Sequence, residues 1–208
     1  MVNTIPLIIA SYEYALGNIL GITPEADEAR GWIGQTLSST FSARHPERAQ
    51  ELIDSYIAWN AEHLPEMLED FPGMAELLTE LVEAGVNVGV ATSKRRSSAE
   101  RTLHFAGLAG QLEVDVAMED TETHKPSPEP LLLALERVGG RPDQAAYIGD
   151  AVVDVQAAKA AGMAAIAVTW GAGLRADLEA AAPDALVDSV PELRALLLGR
   201  AAPSDPAA

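Results

Sequence analysis

The chain divides into two stretches that differ in their pattern of hydrophobic and polar residues. Over residues 6–69 the apolar residues recur every three or four positions, which is the spacing of one buried helix face. No segment of this stretch alternates convincingly as a strand. Pro24 and Pro46 are placed to open two of the helices, because proline in a first helical turn sacrifices no helical hydrogen bond. We therefore expect residues 6–69 to form an all-helical block.

From Phe71 onward, predicted helices alternate with short apolar segments rich in β-branched residues. The predicted strands cover residues 86–91, 114–118, 145–149, 164–169 and 185–187. This alternation is typical of βαβ units, in which a parallel sheet is covered by helices on both faces. The sequence therefore predicts an α/β fold. In such sheets ligands bind at the carboxyl ends of the strands, so polar residues directly after strands are the candidates for chemistry.

The amino-acid composition limits which binding partners and which cellular compartment we expect. The 208 residues include no cysteine, so we expect neither a disulfide nor a thiolate metal site. With 31 acidic against 14 basic residues, the net charge of -17 repels phosphate backbones, and we expect no nucleic-acid partner. No apolar run approaches the ~20 residues that span a bilayer, and the start lacks the basic residues of a signal peptide. We expect a cytoplasmic protein with no membrane partner, either a monomer or a weak dimer.

The first polar cluster is Thr92-Ser93-Lys94, directly after the predicted strand 86–91. A hydroxyl and free backbone N–H groups at a strand end are able to hold phosphate oxygens. Threonine and serine are equally common as helix caps, so the cluster alone leaves both interpretations open.

The second cluster surrounds Lys125, which is followed by three prolines within five residues. Such a segment is stiff and sets one ammonium group ahead of the helix predicted at residues 129–138. A rigidly held ammonium is suited to neutralise charge on a phosphoryl group and on a neighbouring carboxylate. A proline-stiffened surface loop with a solvated lysine is the alternative.

The third cluster is the most specific. The apolar strand 145–149 ends at Asp150, and Asp154 follows four residues later on the first helical turn. Residues four apart share a helix face, so both carboxylates are able to address one point beyond the strand. Two hard oxygen ligands, with waters completing the shell, suit Mg²⁺. Helix capping by the two aspartates is the alternative.

In this order and spacing the three clusters resemble the haloacid dehalogenase superfamily. There a threonine or serine after one strand binds phosphate, the lysine of a KPxPxP segment precedes a helix, and a GDxxxD motif supplies metal ligands. The resemblance implies Lys125 and Thr92 as catalytic residues, with Thr92, Ser93 and Lys125 binding the substrate. It implies Asp150 and Asp154 as ligands of a Mg²⁺ cofactor. The GDxxxD pair favours phosphatases over the metal-free dehalogenases of the superfamily, and β-phosphoglucomutases stay open as a further branch.

Two further segments, Phe71-Pro72-Gly73 and Val168-Thr169-Trp170-Gly171, are similar to phosphoglycolate phosphatases and to PpaX-type pyrophosphatases. The resemblance implies a Rossmann-like core with a parallel sheet and an all-helical cap of the C1 type. The expected substrate is a small phosphorylated metabolite, a phosphoglycolate-like monoester, or pyrophosphate, hydrolysed through a phospho-aspartate. The implied domains are a cap at residues 6–69 and a core at residues 70–200. Residues 1–5 are the remnant that follows a missing first strand of the core, and residues 201–208 are a disordered tail.

The first motif of the superfamily, a strand that ends in Asp-x-Asp-Gly-Thr, does not occur in the 208 residues. In the superfamily its first aspartate attacks phosphorus and its second acts as acid and base. Residues 1–6 resemble the continuation after this motif. The resemblance places the missing strand in the middle of the sheet, so we expect the 208 residues to be inactive and poorly packed there. Two explanations are open: a start assigned too late, or a non-catalytic relic that binds phosphate or a partner protein.

Other polar residues give weaker indications. Lys94, Arg95 and Arg96 fit either a solvated helix start or contacts with a substrate carboxylate or with the cap. In the cap, Gln35 and Arg44 are candidates for substrate selection. The four histidines are scattered, and none pairs with another at a metal-ligand spacing.

Overall fold

The computed structural model describes residues 1–199, and its first seventy residues form a helical bundle with a short ribbon. The helices are α1 (Ile5–Leu20), α2 (Ala26–Gly31), α3 (Leu37–Arg44) and α4 (Ala49–Met67), and the ribbon strands are β1 (Val2–Asn3) and β2 (Glu69–Asp70). Strands β1 and β2 pair antiparallel. The helical block predicted from residues 6–69 is therefore present. The two-residue ribbon was not predicted, because two residues are too few to show an alternating pattern.

The helical block, hereafter the cap, is built around an aromatic cluster. Tyr12 of α1 lies at its centre, with ring centroids 5.0 Å from Trp32, 5.5 Å from Phe41 and 4.9 Å from Tyr56. All four side chains are buried. Edge-to-face and tilted ring contacts of this kind add to the apolar burial and hold all four helical segments to one core. Helix α1 ends at Gly21, whose φ of 70° closes the last turn.

The rest of the chain alternates strands and helices. These are α5 (Met74–Glu83), β3 (Val90–Ala91), α6 (Arg96–Phe105), β4 (Val114–Val116), α7 (Glu129–Arg137), β5 (Ala146–Gly149), α8 (Val152–Ala161), β6 (Ala164–Val168), α9 (Arg175–Ala180), β7 (Ala185–Val187) and α10 (Val190–Leu198). All five predicted strands are present, and α9 is an additional short helix. The α/β prediction is confirmed. The domain limits inferred above stay a prediction, and the predicted tail at residues 201–208 lies outside the described residues.

Strand β6 shows how the sheet separates two apolar layers. It pairs in parallel with β5 on one side and with β7 on the other. Its Ile166 and Val168 side chains belong to the layer formed with α5, α6 and α10, whereas Ala165 and Ala167 belong to the layer formed with α7, α8 and α9. This alternation follows from the two-residue period of a strand. The sheet is therefore covered on both faces, as the sequence pattern predicts.

The sheet is interrupted between β3 and β5. Strand β3 pairs in parallel with β4, and β5 belongs to a separate three-stranded sheet, so the described residues contain no ladder that joins the two. Only Val90 and Ala91 of the predicted strand 86–91 form a ladder. On the other side of the break Ile148 of β5 is 39% exposed, although its register partner Ile166 is 6% exposed. The break lies in the middle of the core, and the prediction that a strand is missing there stays a prediction.

None of the helices within residues 1–199 combines the length and the apolar character needed to cross a membrane.

Candidate active site

A cavity of about 300 Å³ lies between the cap and the ends of strands β3 and β5. Gln35 and Asn60 belong to its cap side. Its core side includes the five residues that the sequence predicts as site residues, namely Thr92, Ser93, Lys125, Asp150 and Asp154. The fold brings these residues together because the carboxyl ends of β3 and β5 reach the same edge of the core.

Lys125 is held by an ion pair and by a phenol. Its Nζ donates to Asp154 Oδ1 at 2.6 Å and to Tyr147 Oη at 3.1 Å. The side chains of Lys125 and Asp154 are only 8% and 6% exposed. Burial opposes the ammonium charge, but the adjacent Asp154 carboxylate and the Tyr147 hydroxyl outweigh it, so the pKa of Lys125 is raised. Lys125 is therefore a fixed positive charge in the wall of the cavity.

Asp154 uses its second carboxylate oxygen to hold the turn before helix α8. Oδ2 accepts hydrogen bonds from the N–H groups of Asp150 at 3.2 Å and Ala151 at 3.1 Å. Gly149 makes this approach possible, because a Cβ at that position would collide with the Asp154 side chain. Both oxygens of Asp154 are thus bonded within the protein, and the residue fixes Lys125 and the Asp150 backbone at once.

Asp150 is held in place by hydrogen bonds from the loop that follows strand β6. Its Oδ2 accepts from the N–H of Ala172 at 2.7 Å, and its main-chain carbonyl accepts from the N–H of Gly173 at 2.8 Å. Within residues 1–199 its other carboxylate oxygen, Oδ1, has no hydrogen-bond partner. Asp150 therefore offers one anchored oxygen and one oxygen that is available to a ligand in the cavity.

Thr92 and Ser93 form the turn after strand β3. The N–H of Thr92 continues the ladder to the Val116 carbonyl at 2.8 Å, and its Oγ1 accepts from the N–H of Lys94 at 3.2 Å. Ser93 Oγ donates to the carbonyl of Gly34 in the cap at 2.8 Å. The N–H of Ser93 has no partner among the described residues. The Ser93 hydroxyl therefore fixes the cap to the core, and the Ser93 N–H remains available to bind an anion.

Lys94 adds a second cation to the cavity, and Arg95 also lines it. Lys94 Nζ donates to Thr4 Oγ1 at 3.3 Å and has no carboxylate partner within 4.0 Å among residues 1–199. Burial lowers the pKa of Lys94 to about 8, although the charge of Asp150 partly opposes this shift. Lys94 is thus a partly desolvated ammonium with no counter-ion among the residues that the structure describes.

Two arginines considered in the sequence analysis lie outside the cavity. Arg96 binds the Val114 carbonyl and the Asp120 carboxylate, so it ties helix α6 to the segment after β4. Arg44 lies 4.6 Å above the Trp32 ring and donates to the Thr40 carbonyl in its own helix. Both contacts hold local structure together and make no contribution to the cavity wall.

The family model for haloacid dehalogenase-like hydrolases matches residues 1–168 of the chain. This chain belongs to the haloacid dehalogenase-like hydrolases. The resemblance found in its motifs is thereby confirmed at the level of the family.

Curated relatives in this hydrolase family cover almost the whole chain. The pyrophosphatase PpaX of Bacillus cereus (strain AH820) is 34% identical over 197 residues, which is 95% of this chain and 91% of the relative. The pyrophosphatase PpaX of Bacillus mycoides is 32% identical over 197 residues, with 95% and 92% covered.

Solved structures of similar hydrolases share the fold. A predicted phosphatase from Clostridium acetobutylicum has a TM-score of 0.85 at 25% identity, with 96% of this chain and 94% of that chain covered. A predicted phosphoglycolate phosphatase from Haemophilus somnus has a TM-score of 0.82 at 20% identity, with 95% and 92% covered. These likenesses confirm the Rossmann-like core with its helical cap.

The donor set of this hydrolase fits a hard divalent cation in part. Asp150 has an unpaired carboxylate oxygen, and oxygen donors with several waters are the usual environment of Mg²⁺. Within residues 1–199 no group of three or more histidine, aspartate or glutamate side chains is placed to hold a metal. Among residues 1–199, Asp150 Oδ1 is thus a free carboxylate oxygen that fits such a cation, whereas both carboxylate oxygens of Asp154 are already bonded within the protein.

Tyr147 is a residue of the site that sequence reasoning missed. Its hydroxyl accepts from Lys125 Nζ and donates to the Ala91 carbonyl at 3.0 Å, which links β5 to β3 across the break in the sheet. Burial raises the pKa of Tyr147, so its hydroxyl remains protonated and able to donate. The only signal in the sequence is a hydroxyl-bearing side chain inside an otherwise apolar strand.

Proposed function

We propose that the chain is a Mg²⁺-dependent phosphatase that acts on a small phosphate monoester of the phosphoglycolate type or on pyrophosphate. The observation that carries the proposal is the convergence of Thr92, Lys125 and Asp150 on one cavity. A hydroxyl, a buried ammonium and a carboxylate with a free oxygen are the groups that bind a phosphoryl group together with a divalent cation. The name of the pyrophosphatase relatives supports this assignment.

Each residue has a separate role in this proposal. The Thr92 hydroxyl and the Ser93 N–H hold phosphoryl oxygens, and the Lys125 ammonium compensates their negative charge. Asp150 would hold the metal ion with its free oxygen, and Asp154 fixes the positions of Asp150 and Lys125 and adds negative charge nearby. A Mg²⁺ ion bound there supplies Lewis-acid stabilisation of the phosphoryl charge.

The nucleophile in this proposal is carried by a strand that fills the break between β3 and β5. Adjacent strands in a sheet lie about 4.8 Å apart, and an inserted strand would satisfy the facing edges of β3 and β5. The exposure of Ile148 on β5 supports the presence of such a neighbour, because strands of a covered parallel sheet are normally buried on both faces. A strand in this position ends beside Thr92 and Asp150. We infer that it carries the Asp-x-Asp-Gly-Thr motif and belongs to a segment outside the 208 residues.

The proposed reaction has two displacements at phosphorus. A carboxylate oxygen of the first motif aspartate attacks phosphorus, the bond from phosphorus to the leaving oxygen breaks, and the second motif aspartate protonates that oxygen. Water then attacks phosphorus of the phospho-aspartate and gives its proton to the second aspartate. The bond from phosphorus to the aspartyl oxygen breaks, which releases inorganic phosphate and restores the carboxylate of the first aspartate. Lys125 and the Ser93 N–H offset the charge of the transferring group in both steps.

The cations of the cavity favour substrates with a second anionic group. Lys94 is partly desolvated and has no carboxylate partner within residues 1–199, and Arg95 also lines the cavity. Phosphoglycolate offers a carboxylate and pyrophosphate offers a second phosphoryl group, whereas a neutral alcohol leaves the ammonium unpaired. An unpaired buried charge is costly, so it contributes to discrimination against neutral leaving groups.

The decisive experiment compares the 208-residue chain with a strand-bearing chain. The latter is extended at its amino terminus by the residues encoded in frame upstream, or by a designed strand ending in Asp-x-Asp-Gly-Thr if the reading frame is closed. Phosphate release from phosphoglycolate, pyrophosphate and glucose 6-phosphate is measured with Mg²⁺ and with EDTA. We expect activity only in the strand-bearing chain and only with Mg²⁺, with phosphoglycolate or pyrophosphate preferred.

Asp150→Asn in the strand-bearing chain is expected to abolish Mg²⁺-dependent turnover, because the amide cannot supply an anionic ligand. Asp143→Asn is the matched control, since Asp143 is exposed and pairs with Arg141 on the surface. Turnover that persists in Asp150→Asn would refute the metal assignment. Phosphate binding without turnover in both chains would instead support a non-catalytic binding protein.

A further inference from the structure

Arg30, at the carboxyl end of cap helix α2, reaches the loop that follows strand β6. Its Nε donates to the carbonyl of Ala172 and its Nη2 to the carbonyl of Gly171, each at 2.9 Å. Within residues 1–199 the guanidinium takes part in no ion pair. The forked geometry of arginine allows it to bind both backbone carbonyls at once, which a lysine cannot do.

The opposite side of the same loop holds Asp150. The N–H of Ala172 donates to Asp150 Oδ2, and the N–H of Gly173 donates to the Asp150 carbonyl. The Gly171 carbonyl and the Ala172 N–H belong to one peptide group, and the Ala172 carbonyl and the Gly173 N–H belong to the next. Arg30 and Asp150 therefore bind opposite ends of the same two peptide groups.

Two physical properties of a peptide group couple its carbonyl, which Arg30 binds, to its N–H, which Asp150 binds; we call this coupling the relay. A peptide group is planar, so its C=O and N–H turn together and a shift at one end moves the other. A cation at the carbonyl also polarises the group and strengthens the hydrogen bond that its N–H donates. The loop also lies directly against Asp150, because a Cβ at Gly171 would collide with the Asp150 side chain.

Arg30 is held in place by the cap, and a second contact close to it in the sequence also joins the cap to the core. The chain continues from Arg30 into Trp32, which is buried in the aromatic cluster of the cap. Two residues later the Gly34 carbonyl accepts the hydrogen bond from Ser93. The position of Arg30 is therefore set by the cap, and its partners belong to the core.

We propose that Arg30 is a positioning residue that couples the seating of the cap to the orientation of Asp150 through these two peptide groups. The relay is a property of the 208-residue chain itself. It rests on the proposed function only for its consequence, which is that a seated cap presents the free oxygen of Asp150 to a metal ion.

The relay is tested by hydrogen exchange of single amides, followed by NMR on the 208-residue chain. Arg30→Met removes the donors but keeps an unbranched stem, and we expect the Ala172 and Gly173 amides to exchange roughly tenfold faster, as for the loss of about one hydrogen bond. The matched control is Arg44→Met, because Arg44 lies in the same cap and donates to a carbonyl of its own helix. Unchanged exchange in Arg30→Met overturns the proposal.

The coupling to the cap is tested by a double-variant cycle with Gly34→Ala. A Cβ at Gly34 would lie 3.1 Å from the Cβ of Ala151 and 3.2 Å from Cγ2 of Val153, and φ there is 95°, so the substitution displaces this part of the cap. We expect it to accelerate exchange at Ala172 when Arg30 is present and to add nothing in Arg30→Met. If the two substitutions accelerate exchange at Ala172 by factors that multiply in the double variant, the cap acts on the loop without Arg30, and the proposed coupling through Arg30 is overturned.

The consequence for metal binding is measured in the strand-bearing chain. Arg30→Met is expected to raise the Mg²⁺ concentration for half-maximal activity about tenfold, the lower end for residues that orient a metal ligand, while kcat at saturating Mg²⁺ changes little. An unchanged Mg²⁺ requirement overturns this consequence. An inactive strand-bearing chain counts against the proposed function, and the exchange rates still decide the relay.

Discussion

Ile148→Ala and Ile166→Ala form a matched pair that measures how open the sheet is beside β5. The two isoleucines are register partners on adjacent parallel strands, so their side chains lie on the same face of the sheet. They differ in burial, because Ile166 is 6% exposed and Ile148 is 39% exposed. The same chemical change at the two positions therefore isolates the effect of the missing neighbour.

The expected losses follow from the carbon atoms removed. Isoleucine to alanine deletes three carbons worth about 0.8 kcal/mol each when buried, or about 2.4 kcal/mol in total. At Ile166 a closed cavity adds to this transfer term, and the expected loss is about 3–4 kcal/mol. With Ile148 39% exposed, about three-fifths of the transfer term applies and no closed cavity forms, so the expected loss is about 1.5 kcal/mol. The two variants should differ by about 2 kcal/mol.

The assay is urea unfolding followed by far-UV circular dichroism and by tryptophan fluorescence. The free energies are comparable if both probes coincide and the m-values of the variants agree. Equal losses at the two positions would refute the interpretation that β5 has an open edge. In the strand-bearing chain the loss at Ile148 should rise to that at Ile166, because the added strand closes the cavity around the side chain.

The remaining predictions concern buried charges and use the same unfolding assay. Lys125→Met should cost about 3–5 kcal/mol, because it leaves the Asp154 carboxylate buried without its partner, and the double variant Lys125→Met/Asp154→Asn should lose less than the single one. The pKa of Lys94 is about 8 in the folded state and 10.5 in the unfolded state. Between these two pH values the unfolded state binds more protons, so the free energy of unfolding rises with pH across that window. This rise, up to ~3 kcal/mol, should vanish in Lys94→Met and persist in the exposed control Lys159→Met. A pH profile of Lys94→Met identical to that of the unchanged chain would contradict the lowered pKa of Lys94.

Much of the fold followed from periodicity. The helices of the cap and the five strands of the core were predicted because a buried helix face repeats every three to four residues, and because short β-branched segments alternated with helices. The placement of Thr92, Lys125 and Asp150 in one cavity followed from the same reasoning, since parallel strands gather their carboxyl ends at one edge. The pairing of β1 with β2 and the helix α9 escaped prediction because their segments are too short to show a period.

What the sequence by itself determined was the order of elements and the chemical types available at strand ends, because these depend on local spacing. Only the tertiary structure decided how those groups are used. The Ser93 hydroxyl seats the cap, Tyr147 bridges the broken sheet, and Arg30 reaches carbonyls 141 and 142 positions away. Contacts between residues so distant in sequence leave no periodic trace, because they depend on the packing of the cap against the core and of both against the edge of an interrupted sheet.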